Sequence, residues 1–235
     1  MNELLLPGIS IDCIIFGFHT NQLKILLLRF KNTDFFALPG GFITKNENLE
    51  EATQRILKDR MGLLSDIYLE QFYVFGNKNR RPDDVLQKIF DAIEPPRELR
   101  KFLSERFISI RYYALIDFTK AIPTTDAISD RCDWWDLEEI PTLIFDHSEM
   151  VQKALATLRL TLEHSRVGLN LLPNTFTMNE LQVLHETILG QKLVRSNFQR
   201  KILSTGRLER IEKRMTGAAN KAPYLYRFNG TMAAD

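Results

Sequence analysis

Cysteine is scarce: of 235 residues only Cys13 and Cys132 carry a thiol. They lie far apart with no pattern of metal-ligand partners, which excludes a disulfide framework and leaves free intracellular thiols in or beside strands. No apolar run is long enough to span a membrane, and Met1-Asn2-Glu3 lacks the basic start of a signal peptide. The expectation is a cytoplasmic protein with no membrane partner. Internal repeats and low-complexity stretches are also missing. What is present is ordinary for a globular protein, with 44% hydrophobic and 26% charged residues. The length suits two modest domains or one large one.

A net charge of +1 conceals a division. From Arg166 to Asp235 there are eleven Lys and Arg against five acids, a net of +6, which leaves −5 for the rest. A basic module joined to an acidic one points either to an anionic partner for the small end or to a solvated basic surface without one. The run Arg166-Val167-Gly168-Leu169-Asn170 breaks the preceding helical pattern. The expected domains are therefore 1–165 and 166–235.

Alternation over Ile11 to Phe18 and Leu23 to Phe30 predicts a hairpin turning at His19-Thr20-Asn21-Gln22. A strand from Phe35 to Phe42 leads into a helix from Leu49 to Arg60. Further strands are expected over Ile67 to Phe75 and Phe107 to Phe118, where Ile108, Ile110 and Tyr112 alternate with Ser109, Arg111 and Tyr113. Between them, 77–106 has the look of an insertion, with helical spacing at Asp83 to Ile93 and Glu98 to Phe107 around Pro95-Pro96. It suits a lid over a pocket, a dimer contact, or a length variation with no role. Asp146, with Glu149 three residues on, suits the cap of a helix running to about His164.

The most telling shortage is of carboxylates at particular positions. Leu38-Pro39-Gly40-Gly41-Phe42-Ile43 through Gly62-Leu63 fits the frame of the Nudix signature without a gap. Gly41, Glu47, Arg55, Leu57, Gly62 and Leu63 fall in place. The three box glutamates do not: they are replaced by Ile56, Asp59 and Arg60. Positions i, i+3 and i+4 share one helix face, so these acids would together present hard oxygen ligands to Mg²⁺. Here that face carries an aliphatic chain, one short carboxylate and a guanidinium. The fixed charge of Arg60 would repel a divalent cation by a few kcal/mol, to order of magnitude, at intermediate dielectric. No catalytic residue, metal ligand or cofactor is expected.

In the basic segment, Thr177-Met178-Asn179-Glu180 forms a capping box ahead of Leu181, Leu184 and Ile188, and Gly190 closes that helix. A second helix spans roughly Val194 to Ser204, with Phe198 and Ile202 on one side and Asn197, Arg200, Lys201 and Ser204 on the other. Strands at Leu208 to Glu212 and Tyr224 to Phe228 flank a loop holding Lys213, Arg214, Gly217 and Lys221. Helix, turn, helix and basic hairpin outline a winged helix-turn-helix, whose second helix enters the major groove. Asn197 and Arg200 suit adenine and guanine edges, whereas Lys201, Arg210, Lys213, Arg214 and Lys221 suit phosphates. Arg195, Ser196 and Ser204 complete the expected DNA face. A protein-contact role for the same module stays open.

A Nudix-like domain with a defective box, joined to a small basic winged helix, resembles the Nudix-related transcriptional regulators of bacteria. The local wording agrees: Leu-Ile-Phe-Asp-His at 143–147, Asn-Leu-Leu-Pro at 170–173, Asn-Phe-Gln-Arg-Lys at 197–201 and Tyr-Leu-Tyr-Arg-Phe-Asn at 224–229. The resemblance implies an α+β protein, an N-terminal Nudix-like α/β/α sandwich with a C-terminal winged helix-turn-helix. It implies a homodimer on a palindromic operator of double-stranded DNA, acting as a repressor. It also implies a former active-site pocket, around Gly40, Gly41, Arg55, Asp59 and Arg60, that senses a small-molecule effector. One branch of the family answers to ADP-ribose and governs NAD metabolism. Another, closer in local wording to this chain, governs sugar use, arabinose included. A sugar or sugar nucleotide is therefore the expected effector. The competing function is a working Nudix hydrolase of ADP-ribose or a related nucleoside diphosphate derivative. An RNA-binding adaptor finds no support, for want of aromatic ribonucleoprotein-type strands.

Overall fold

A computed structural model of the chain describes residues 4–62, 67–162, 171–214 and 222–229. Two units emerge, Met1–Thr157 and Leu158–Asp235.

The first unit is organised by one mixed sheet. Strands β1 (Leu5–His19) and β2 (Gln22–Phe30) form the expected hairpin, turning through Thr20 and Asn21, both at positive φ. That conformation matches the twist of the flanking strands. The single strand expected from Phe35 to Phe42 is instead two, β3 (Phe36–Ala37) and β4 (Gly40–Thr44). Pro39 lies between them and has no N–H to give a ladder. β5 (Tyr68–Phe75) lies at one edge beside β6 (Ile108–Asp117), and β7 (Ser129–Asp136) pairs with β2. β1 and β6 run parallel, which sets Asp12 opposite Arg111 and Ser10 opposite Ser109.

Helix α1 (Leu49–Met61) follows β4. Asn48 and Glu51 form a reciprocal capping box at its start, satisfying backbone donors that the first turn leaves unpaired. Ala52, Ile56, Leu57 and Met61 pack against Ile11, Cys13, Ile15, Leu26 and Leu28 on one face of the sheet. Each such large apolar side chain contributes roughly 1.5–3 kcal/mol of burial. Both cysteines are free and buried. Burial pushes the Cys13 thiol up to about 12 and that of Cys132 to about 11, so neither is a nucleophile near neutrality.

The segment between β5 and β6 holds α2 (Asp83–Ile93) and α3 (Arg97–Ser104). The second helix begins earlier and ends sooner than its spacing predicts. Phe107, assigned by periodicity to the helix, instead packs with Phe42 and Phe102 as the chain enters β6. α4 begins at His147 and runs to Thr161. Asp146, expected as its cap, gives both carboxylate oxygens to Arg80 at 2.9 Å.

In the second unit, β8 (Phe176–Thr177) leads directly into α5 (Met178–Leu189), with the Thr177–Glu180 capping box in place. α6 (Arg195–Ser204) follows, then β9 (Leu208–Lys213) and β10 (Tyr224–Phe228). These strands make a three-stranded sheet in the order β8-β10-β9. Its first strand is too short for alternation to reveal. Phe198 and Ile202 are buried, while the other side of α6 is exposed. No described helix is long and apolar enough to cross a membrane.

Candidate functional site

In the first unit, β4, the C-terminal half of α1 and the α2–α3 segment surround a cavity of about 420 Å³. Gly40, Gly41, Arg55, Asp59 and Arg60 all line it. The two glycines are there for want of room. A Cβ on Gly40 would fall 2.3 Å from Asp12 Oδ1 and 2.7 Å from the Ile11 carbonyl, and one on Gly41 would fall 2.9 Å from Ile56 Cγ1.

The frame residues of the box hold the loop to the helix. Arg55 donates to the Glu47 carboxylate from Nε at 3.0 Å and Nη2 at 2.6 Å, and also to the Phe42 carbonyl at 2.8 Å. The Thr44 N–H donates to the same carboxylate at 2.7 Å. Hydrogen bonds from Arg55 hold the Glu47 carboxyl down at about 2.

Two of the three box positions that lack glutamate are committed elsewhere. Ile56 is part of the core, and its neighbour in space is the backbone of Gly41. Arg60 pairs with Asp126 at 2.5 Å, while Asp126 also accepts from Ser129. Asp59 is exposed. One carboxylate beside an aliphatic chain and a paired guanidinium does not make a divalent-cation site. Among the described residues no three His, Cys, Asp or Glu side chains are grouped as metal ligands.

A second polar group borders the cavity, and sequence reasoning did not assign it to the site. It comprises Asp12 on β1, Arg111 on β6, Arg80 and Arg81 ahead of α2, and Asp146 and His147 at the start of α4. Arg111 is fully buried and ion-paired with Asp12, whose carboxylate also accepts from Ser109 at 2.7 Å. Its guanidinium lies over the Phe75 ring. Burial brings the Arg111 guanidinium down to about 9. His147 Nδ1 accepts the Leu38 N–H at 3.0 Å, so the neutral ring carries its proton on Nε2. Burial first, then Arg111, Arg80 and Arg81, hold this imidazole well below its ordinary value. The available signal was a charge inside an apolar alternation: Asp12 between Ile11 and Cys13, and Arg111 between Ile110 and Tyr112.

In the second unit, Arg195, Ser196, Asn197, Arg200, Lys201 and Ser204 are exposed on α6, and Arg210, Lys213 and Arg214 are exposed on or just after β9. Arg200 Nη2 donates to Asn197 Oδ1 at 3.3 Å. Arg210 lies over the Tyr224 ring at 4.5 Å. Arg214 is paired with Glu180 at 3.0 Å and is less free for a phosphate than its neighbours. Lys221, also expected on this face, lies outside the described residues, as do Leu63 of the box and Gly217.

Residues 168–228 match the NrtR DNA-binding winged helix domain. The chain is 31% identical over 230 residues, 94% of its length and 82% of the other, to the ADPR responsive transcriptional repressor NtrR of Acinetobacter baylyi. It is 27% identical over 149 residues, 62% of its length and 72% of the other, to the ADP-ribose pyrophosphatase of Methanocaldococcus jannaschii. Shewanella oneidensis NrtR superposes at 25% identity with a TM-score of 0.69, covering 94% of both chains. In its complex with a 27mer DNA it superposes with a TM-score of 0.67 at the same identity, covering 94% of this chain and 93% of the other. With its Nudix-like sandwich and its DNA-binding winged helix, the chain belongs to the NrtR family of transcriptional regulators.

Proposed function

We propose that the protein is a repressor that binds a palindromic operator as a homodimer through α6 and the β9–β10 wing. ADP-ribose, held in the cavity of the first unit without being hydrolysed, relieves that repression. The observation that carries this reading is the fate of the box positions. Ile56 sits in the core and Arg60 is paired with Asp126, so the helix face that would hold Mg²⁺ offers Asp59 alone. The frame around that face is kept, and it encloses a cavity large enough for a small ligand. The Acinetobacter baylyi relative, a repressor responsive to ADP-ribose by its name, supports the choice of effector.

The test is binding of the purified protein to DNA upstream of its own locus, with and without ADP-ribose, beside a hydrolysis assay in Mg²⁺. Specific binding that ADP-ribose weakens is expected, with no appreciable turnover. Hydrolysis at ordinary enzyme rates, on the order of 1 s⁻¹ or faster, would overturn the reading. It would favour the hydrolase to which the similarity with the Methanocaldococcus jannaschii enzyme points. Release by arabinose in place of ADP-ribose would keep the regulator and replace its effector.

A further inference from the structure

We infer that Arg80, Arg81 and His147 form a phosphate-binding corner of the cavity, so that the diphosphate of the effector is read outside the Nudix helix. This rests on the reading that the cavity holds a nucleotide-like effector, and it concerns which residues take the charged part.

Charge balance is the first argument. The group at this end contains three guanidinium ions, Arg80, Arg81 and Arg111, against two carboxylates, Asp12 and Asp146. Arg80 is matched to Asp146 and Arg111, by charge though without a hydrogen bond, to Asp12. Arg81 is left over. Its Nη1 reaches only the Glu105 carbonyl, at 3.3 Å, and its Nε is sealed from solvent with no acceptor. Arg81 is half-buried, and a charge partly withdrawn from water gains from an arriving counter-ion.

Pre-organisation is the second. The Arg81 guanidinium lies over two rings, Phe107 at 5.5 Å and Phe145 at 5.2 Å, and Arg80 is fixed by its bidentate pair. His147 is 5% exposed, with Nδ1 occupied by Leu38. That leaves the proton on Nε2. Arg80, Arg81 and His147 all line the cavity. Rigid planar donors and an imidazole N–H around one excess positive charge suit phosphate oxygens. They offer nothing comparable to a neutral sugar.

The test uses calorimetry on the full-length protein with pyrophosphate, ADP-ribose, adenosine and arabinose as probes. In Arg81→Met, which keeps the stem over the two rings, the affinity for pyrophosphate and ADP-ribose should fall at least tenfold. Any adenosine binding should be unchanged, and thermal melting should be no lower than in the parent. Arg81→Lys, which keeps the charge and loses the fork, should fall between the two. If Arg81→Met does not fold, the Nε–H signal of Arg81 in the parent, assigned through Arg81→Lys, gives the answer by shifting with pyrophosphate. ADP-ribose binding that is indifferent to Arg81 would overturn the corner and leave the effector reading standing. Binding of arabinose alone, or of no probe, would overturn both.

Discussion

At the scale of single residues, the site is shaped by what cannot be added. A methyl group at position 40 would meet the Asp12 carboxylate and the Ile11 carbonyl, and the carbonyl, being backbone, cannot swing aside. Gly40→Ala should therefore destabilise the protein by roughly 1–3 kcal/mol, as overpacking generally does. Thermal or urea denaturation checks this, and an unchanged midpoint would mean that β4 gives way more easily than its pairing suggests. Ile56 makes the complementary case. It is 3% exposed, so Ile56→Glu would put a carboxylate into the core beside Gly41. The expected result is a clear loss of stability with no Mg²⁺-dependent turnover, because Arg60 and Asp126 remain paired. Gain of turnover in that single variant would show that two box acids, at 56 and 59, are enough.

At the scale of elements, Glu47 and Arg55 bind the β4–α1 loop to its helix. The Glu47 carboxyl titrates at about 2 rather than its ordinary 4.5. A folded-state value below the unfolded one contributes stability above about pH 4.5, and that contribution disappears as pH falls through about 2. Glu47→Gln should accordingly melt below the parent at neutral pH, with the gap closing as acid is added. A gap independent of pH would assign the loss to shape and not to charge. In the second unit, α6 and the wing should differ in kind. Arg200→Ala should cost roughly 1–3 kcal/mol and relax preference at one base position. Lys213→Ala should weaken binding to all sequences alike and lower the salt slope by about one unit. A salt series on operator and unrelated DNA separates these outcomes. Two variants indistinguishable from the parent would make the module a protein-contact domain.

At the scale of the whole molecule, regulation requires that the cavity and the DNA-binding surface share an equilibrium. With ADP-ribose as the proposed effector, whatever factor it takes from the affinity for operator, operator must take from the affinity for ADP-ribose. Factors of about 5 to 150 are usual for such coupling. Calorimetric titration of ADP-ribose into free and operator-saturated protein checks it. Unequal factors would mean that release involves a further species, such as a change in assembly.

The sequence by itself determined whatever rests on neighbours along the chain. Helical period, the capping boxes at Asn48 and Thr177, and the spacing of Gly41, Glu47 and Arg55 are local properties. Local rules therefore reach them. The replacement of box acids at 56, 59 and 60 is likewise visible from i, i+3, i+4 geometry alone. Only the tertiary structure decided where charges find partners. Arg60 meets Asp126 across 66 residues, Arg80 meets Asp146 across another 66, and Leu38 meets His147 across 109. Asp146 illustrates the difference: beside a helix start it has the form of a cap, and the fold spends its carboxylate on Arg80 instead. Phe107 does the same for packing, helical by period and aromatic-core by position. Sequence periodicity specifies which face a side chain takes. Which side chains meet there depends on strand pairing and chain return, and these bring together residues whose separation along the chain carries no periodic signal.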